Sequence, residues 1–303
     1  MRLAKTYIST CLLTLVVMIA IGGCSGHVSQ SAELDIEETQ SKIISIHFVE
    51  DYDEYFMPGA DFSATRADVK DYAKFITIVL FDENGTKKYE MQQSSWQAYF
   101  GTINKRIDFG IYRAVVIANN GDDYCDVNSP TSVTLPKVEG AKVSDTFYYI
   151  GEIEVSGTSS NNISIQLMRA VSAIGVQMTD KSVPDNFDHF RFELTGGSNE
   201  FNPTTGYGAS AVSQVADVEY NSKAKQHGIF TFPLKDNDGG VTFKASAIAK
   251  DGSTIISYSF DHLTVAPKKM IVYKGDFFPK TDATISIPDS ETTWTTSEQS
   301  LHQ

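Results

Sequence analysis

The chain has 303 residues, of which 41% are hydrophobic, and a formal net charge of −13. Such an acidic protein lacks the surplus of lysine and arginine that neutralises phosphates, so the composition argues against a nucleic-acid partner. The length fits one or two domains, and two are preferred because single hydrophobic cores stop growing at about 250–300 residues.

The first 23 residues have the layout of a secretory signal. A short basic start precedes an apolar run at 12–21, which is too short to span a bilayer comfortably. Residues 21–24 read IGGC, which resembles a bacterial lipobox. This resemblance implies cleavage before Cys24, a thioether-linked diacylglycerol on that cysteine, and several acyl chains that anchor the protein stably. An ordinary signal peptide with a chance cysteine is the alternative.

The three cysteines give no disulfide framework. Cys11 leaves with the signal, and Cys24 carries the lipid, so Cys125 remains alone. The fold must therefore rest on its hydrophobic core. Residues 24–41 are polar and acidic without a period, which predicts a flexible tether between the lipid and the fold.

From residue 42 onward the pattern is that of strands. KIISIHFV (42–49) alternates apolar and polar residues, whereas FITIVLF (75–81) is apolar on both faces, as in a central strand. Similar short segments follow between turn residues, which predicts an all-β chain of antiparallel β-sandwiches. Short helical segments are predicted only at 64–74 and 210–220.

The division into domains is placed near Arg169. A polar turn at 156–162 precedes ISIQLMRAVSAIGVQ, which we interpret as two short strands joined at this arginine. The prediction is an N-terminal sandwich at 42–168 and a C-terminal sandwich at 169–303.

A search for catalytic chemistry gives no pattern that favours an enzyme. The six histidines have no zinc-ligand spacing, and no nucleophile elbow, phosphate-binding loop or dinucleotide fingerprint occurs. We expect no catalytic residue, no cofactor and no metal. Acidic neighbours should raise the pKa of the Cys125 thiol and make it unreactive. The acidic stretches 119–126 and 235–240 are interpreted as turns, with a calcium ion as the alternative.

Aromatic residues near strand ends leave a second question open. Trp96, Trp294 and the consecutive aromatics at 147–149 either fill and rim a sandwich core or stack on sugar rings of a bound glycan.

Several segments together resemble the fimbrillin superfamily of Bacteroidales, whose subunits build type V pili. A lipobox precedes them, and in order they are FITIVLFDENG (75–85), FGIYRAVVIANNGDD (109–123), ISIQLMRAVSAIGVQMTD (163–180), the stretch from VPDNF to NPTTG (183–206), and the stretch from KMIVYKGDFFP to TTW (269–294).

This resemblance implies two transthyretin-like β-sandwich domains in tandem, a surface-exposed lipoprotein of the outer membrane, and no catalytic residues. It also implies that an arginine-specific protease removes the first strand and that a strand of the next subunit fills the groove. Arg66 followed by Ala67 fits such a site, although a plain surface arginine is the alternative. A segment with alternating apolar residues at 283–287 is the better candidate donor strand, since the tail 292–303 is mostly polar.

The sequence therefore predicts a structural or adhesive subunit of a cell-surface fimbrium, with other pilus subunits, membrane lipid and a host or bacterial surface receptor as partners. The anchor, stalk and tip roles stay open. The alternative function is that of a carbohydrate-binding surface lipoprotein in nutrient uptake.

Overall fold

The computed structural model describes residues 40–50, 69–136, 140, 142–224, 226–237, 239–278 and 296–300, with side chains at all of these except 49, 50 and 296–300. These residues belong to one compact unit, Thr39–Gln303. The described chain is all-β apart from one short helix, which confirms the predicted class.

The first half of the described chain contains the helix and nine strands. They are β1 (Ser41–Glu50), α1 (Val69–Tyr72), β2 (Phe75–Phe81), β3 (Lys87–Ser94), β4 (Thr102–Asp108), β5 (Gly110–Asn119), β6 (Asp126–Ser129), β7 (Ser132–Thr134), β8 (Thr146–Val155) and β9 (Asn162–Arg169).

The second half contains only strands among its described residues. They are β10 (Ser172–Met178), β11 (Phe187–Gly197), β12 (Glu200–Asn202), β13 (Tyr207–Gly208), β14 (Val212–Glu219), β15 (His227–Thr231), β16 (Val241–Ala249), β17 (Thr254–Leu263), β18 (Met270–Gly275) and β19 (Thr296–Ser300).

The first half encloses a core between two layers of one long sheet, in the order β3-β2-β5-β8-β9-β1-β4. Strands β8 and β9 pair at only two positions, Phe147 with Arg169 and Tyr148 with Met168. The sheet therefore folds back on itself between these two strands. Apolar side chains of β2 and β1 then meet across the core. All seven residues of β2 are buried, which confirms the predicted central strand.

The second half packs two four-stranded sheets, β15-β10-β18-β19 and β14-β11-β16-β17, around a core rich in phenylalanine. Phe192 and Phe243 stack with their ring centroids 5.5 Å apart, and both side chains are fully buried. Large aromatic rings supply much of the apolar area that such a sandwich removes from water.

Both halves repeat one strand order. In the first half β1 lies between β4, which is antiparallel to it, and β9, which is parallel. In the second half β10 lies between antiparallel β15 and parallel β18. The remaining strands correspond as well, because β3-β2-β5-β8 follows the same connections as β14-β11-β16-β17. The division into domains at 168 and 169 remains a prediction, as does their transthyretin-like character.

Three parallel pairs add to the antiparallel pairs that the sequence predicts. They are β1 with β9, β10 with β18, and β18 with β19. Hairpin turns force neighbouring strands to be antiparallel, but distant strands brought together by the core have no such constraint.

A small four-stranded sheet, in the order β13-β12-β7-β6, joins the two halves, and we call it the bridging sheet. Its contact between the halves is the pairing of β12 with β7, in which Phe201 lies opposite Val133. A separate apolar cluster lies behind it, where Phe201 stacks on Phe232 at 4.9 Å and contacts Tyr148 edge-on at 4.8 Å.

The helix predicted at 210–220 is wrong, because Val212–Glu219 forms strand β14. Gln214 and Ala216 are buried while Ser213, Val215 and Asp217 are exposed, which is the period of two that defines a half-buried strand. The β-branched valines of this segment also favour a strand. At 64–74 the described residues form a helix only over Val69–Tyr72, and 64–68 lie outside them.

Candidate functional site: the slot of the first strand

Strand β1 lies inside its sheet rather than at an edge, although it is the first strand of the described chain. On one side Ser41 pairs with Asp108 and His47 with Thr102 of β4, and on the other Ser45 through Glu50 pair with β9. Strand β1 is therefore paired with β4 along residues 41–47 and with β9 along residues 45–50. We call the space that β1 fills between β4 and β9 the slot.

The inward face of β1 belongs to the core of the first half. Ile44 and Ile46 are completely buried, and Phe48 is 8% exposed. They pack among buried apolar side chains that include Ile107 of β4 and Ile165 of β9. Burying a side chain of this size stabilises the fold by about 1.5–3 kcal/mol, so β1 contributes a large part of the stability of this half.

Polar contacts at the start of β1, at Lys42, and on its outward face, at His47, also hold the strand in its register. Lys42 Nζ donates to the backbone oxygen of Ser159 at 2.6 Å and contacts its Oγ at 2.8 Å. His47 Nδ1 lies 3.1 Å from Thr102 Oγ1. A slip by one residue would turn the apolar face outward, so the core and these contacts select the same register.

The end of β1 and the start of α1 lie close together, on either side of Gly101. The backbone N–H of Phe48 donates to the oxygen of Gly101 at 3.1 Å. Gly101 has a φ of +90°, and a β-carbon there would overlap Cγ1 of Val69, the first residue of α1. Phe48, near the end of β1, and Val69, at the start of α1, thus both lie next to Gly101.

The site residues predicted from the sequence lie outside the described residues. They are the lipidated Cys24 and the processing pair Arg66 and Ala67. The signal at 1–23, the donor candidate at 283–287 and Trp294 lie outside them too. Among the described residues no helix is long and apolar enough to cross a membrane.

Arg169, the residue at the predicted boundary, forms a buried ion pair that the sequence did not reveal. Its Nε and Nη2 donate to the two carboxylate oxygens of Asp145 at 2.8 and 2.9 Å. The guanidinium also lies 4.7 Å from the centre of the Phe147 ring. Burial raises the pKa of the Asp145 carboxyl, and the charge of Arg169 acts in the opposite direction.

Cys125 is a buried core residue. Burial is the main cause that raises the pKa of its thiol to about 12, and nearby Asp126 and Asp123 add to the rise. The predicted direction is confirmed, although acidic neighbours are a smaller cause than the sequence suggested. Asn119 Nδ2 donates to the sulfur at 3.3 Å. A neutral, enclosed thiol is a poor nucleophile.

The described residues contain no group of three or more histidine, cysteine or acidic side chains suited to a metal ion. A polar depression lies at β11 and the end of β14, lined by Asp188, His189, Asp217, Glu219 and Tyr220. Two of its carboxylates are engaged in local contacts, because Arg191 holds Asp217 through two hydrogen bonds of 2.7 and 2.8 Å and Asp188 lies 2.8 Å from His189 Nδ1.

No sequence-family model matches the chain, and no curated protein matches it. It is similar to several solved structures at low sequence identity. One is a Bacteroides ovatus protein assigned provisionally as an adhesin, with 13% identity, coverage of 72% of this chain and 77% of that one, and a TM-score of 0.46.

Two further similar structures come from Porphyromonas gingivalis. The tip fimbrial protein Mfa3, truncated at its C-terminus, has 11% identity, covers 80% of this chain and 97% of its own, and has a TM-score of 0.44. The fimbrial anchor protein Mfa2 has 12% identity, covers 72% and 82%, and has a TM-score of 0.41. Fimbrial proteins are among the solved structures to which this chain is similar.

Proposed function

We propose that this chain is a structural or adhesive subunit of a cell-surface pilus, exported as an outer-membrane lipoprotein through Cys24 and assembled by strand donation. The observation that carries the proposal is the position of β1. The first strand of the described residues pairs with a strand on each side and buries three apolar side chains, so its departure would open a strand-sized slot.

An open slot is an acceptor for another strand. Without β1, the facing backbone groups of β4 and β9 would lose their partners. The apolar side chains that pack against Ile44, Ile46 and Phe48 would be exposed to water. A donor strand parallel to β9, with apolar residues at alternate positions, restores both sets of contacts. We propose the segment 283–287 of a second subunit as this donor.

Cleavage between Arg66 and Ala67 would remove the covalent hold on β1. The bond lies in the segment that connects β1 with α1, so after hydrolysis β1 and the lipid of Cys24 are held to the rest of the fold only by the noncovalent contacts of the slot, and a donor strand can displace them. A subunit that keeps its lipid serves as an anchor, whereas a subunit that begins at Ala67 polymerises.

The test compares processing in three forms of the full chain: the wild type, Arg66→Gln, and Arg113→Gln as a control at an exposed arginine of β5. Each is treated with an arginine-specific protease and analysed by mass spectrometry and on unheated denaturing gels. We expect the wild type and Arg113→Gln to start at Ala67 and to form ladders, and Arg66→Gln to keep β1 and remain monomeric.

Two results would decide against this route. One is a ladder that forms equally in Arg66→Gln, and the other is a chain cleaved at Ala67 that stays monomeric. Protein isolated from its native cells with a diacylated Cys24 and no cleavage assigns the anchor role.

A further inference from the structure

The loop between β3 and β4 presents two large aromatic side chains to solvent. Trp96 is 72% exposed and Tyr99 is 83% exposed, which makes them the most exposed of the large hydrophobic side chains among the described residues. Rings of this size normally bury most of their surface in a core or an interface. The sequence left open whether Trp96 fills the core, and the structure places it outside.

A buried amide holds the loop in one shape. The side chain of Gln93, only 8% exposed, donates through Nε2 to the backbone oxygens of Tyr99 at 2.9 Å and Thr102 at 3.3 Å. Its Oε1 accepts from the backbone N–H of Gly101 at 2.9 Å. Hydrogen bonds from one buried side chain to three backbone groups fix the loop before any ligand arrives, which lowers the entropy lost on binding.

Local contacts and backbone conformation also orient the Trp96 and Tyr99 rings. Phe75, buried at the start of β2, contacts the Trp96 ring edge-on with centroids 5.2 Å apart, and contacts Tyr124 in the same way at 4.9 Å. Tyr99 has a φ of 61°, a left-handed conformation that a bulky residue adopts only when its surroundings enforce it.

The loop that carries the rings has no charged side chain of its own. Residues 91–104 read MQQSSWQAYFGTIN, in a chain whose net charge is −13. Its polar side chains are mainly amides and hydroxyls, and one charged residue adjoins it, because the backbone N–H of Ser95 donates to the backbone oxygen of the exposed Lys74 at 2.8 Å. A protein partner calls for a broad apolar patch with a polar rim, and two rings set among amides and hydroxyls do not form one.

We propose that this loop, Ser94–Gly101, is a binding site for neutral glycans, in which hexopyranose rings stack on Trp96 and Tyr99. The C–H faces of a sugar ring match an exposed aromatic face, and its hydroxyls match amide and hydroxyl partners. A neutral sugar also avoids any conflict with the acidic surface. The inference gives the proposed adhesive role a ligand class, yet it needs neither cleavage at Arg66 nor a second subunit.

The test uses the full chain carrying Trp294→Phe, which leaves Trp96 as the only tryptophan, because the sequence has two. Its fluorescence is titrated with a panel of neutral oligosaccharides built from glucose, galactose, mannose and N-acetylglucosamine, with sialylated and sulfated glycans for comparison. We expect a saturable change in Trp96 emission with at least one neutral oligosaccharide.

Variants in the full chain with Trp294 intact identify the residues involved, by calorimetry with the same oligosaccharide. Trp96→Ala and Tyr99→Asn should each weaken binding about tenfold or more, as expected for an aromatic anchor. Asparagine is chosen at position 99 because it tolerates the left-handed backbone. Ile111→Ala, at an apolar position of β5 that is 58% exposed, should bind like the wild type.

The proposal is overturned if no neutral glycan of the panel binds, if only the anionic glycans bind, or if binding is unchanged in both aromatic variants. It is equally overturned if Trp96→Ala alters only self-association in sedimentation, which would make the loop a contact between subunits. A failure of pilus assembly leaves these titrations unaffected, so the two proposals fail separately.

Discussion

At the scale of single residues, Arg169 and Asp145 form an ion pair buried in the described core. Two hydrogen bonds of 2.8 and 2.9 Å neutralise both charges in a place where water does not reach, since both side chains are almost fully buried. Such a pair stabilises little compared with an apolar replacement, but removing one partner leaves the other charge buried without compensation.

We therefore expect Arg169→Ala to lower the free energy of unfolding by about 3–5 kcal/mol. Urea unfolding followed by circular dichroism measures the difference. The matched control is Arg191→Ala, because Arg191 holds Asp217 with the same geometry on the surface. Its loss should change the stability by about 0–1 kcal/mol. Equal decreases in the free energy of unfolding of the two variants would show that burial does not increase the cost of breaking the Arg169 pair.

His227 gives the fold a sensitivity to acid. It is 3% exposed, and its Nε2 accepts a hydrogen bond from the backbone N–H of Asn221 at 3.2 Å. Burial lowers the pKa of this imidazole below its usual value of about 6.5. As the pH falls through that value, the unfolded chain takes up a proton before the folded chain does, so stability decreases with decreasing pH.

The variant His227→Gln should remove this contribution, which amounts to at most about 1.4 kcal/mol per pH unit. Urea midpoints measured between pH 7.5 and pH 5 should fall less steeply in His227→Gln than in the wild type. His262→Asn, at an exposed histidine, should leave the steeper dependence in place. Identical slopes in the wild type and His227→Gln would contradict the assignment.

At the scale of elements, β1 differs from the other strands in being both internal and close to the chain start. Its alternation of apolar and polar residues predicted the strand and its buried face, and the structure confirms both. Its parallel pairing with β9 could not be predicted, because Ser45 and its partner Asn162 are far apart in sequence and no turn connects their strands.

The two faces of β1 should respond very differently to truncation. Ile46→Ala removes a completely buried side chain and should destabilise the fold by about 2–5 kcal/mol. Ile43→Ala lies on the same strand with 53% exposure and should change the stability by less than about 0.5 kcal/mol. Thermal and urea unfolding check both values, and similar losses in the two variants would contradict the assigned register.

The loop of Trp96 shows the opposite limit of sequence analysis. Tryptophan is apolar, so the pattern alone favours burial, and the structure exposes it because the three hydrogen bonds of Gln93 close the loop with the ring outside. Nothing in the residue types of a short loop indicates that a buried glutamine three positions earlier sets its shape. The same limit applies to Arg169, whose partner Asp145 lies in another segment.

At the scale of the whole molecule, the two halves share a strand order that no sequence period reveals. A strand needs only alternating polarity and suitable turns, and very different side chains satisfy that requirement. The positions of β1 and β10 are therefore equivalent in topology although their sequences, SKIISIHFVE and SAIGVQM, have little in common. Of these two strands, only β1 is followed by the predicted cleavage site at Arg66 and Ala67.

The bridging sheet has a mechanical consequence. In a fibre assembled by the proposed strand donation, a lengthwise pull would pass tension through each subunit from the strand it receives to the strand it gives. The pairing of β12 with β7 and the rings stacked behind it place a second route for that tension beside the covalent link between β9 and β10. Stretching such a fibre would therefore load these hydrogen bonds together with the covalent link before the two halves could move apart.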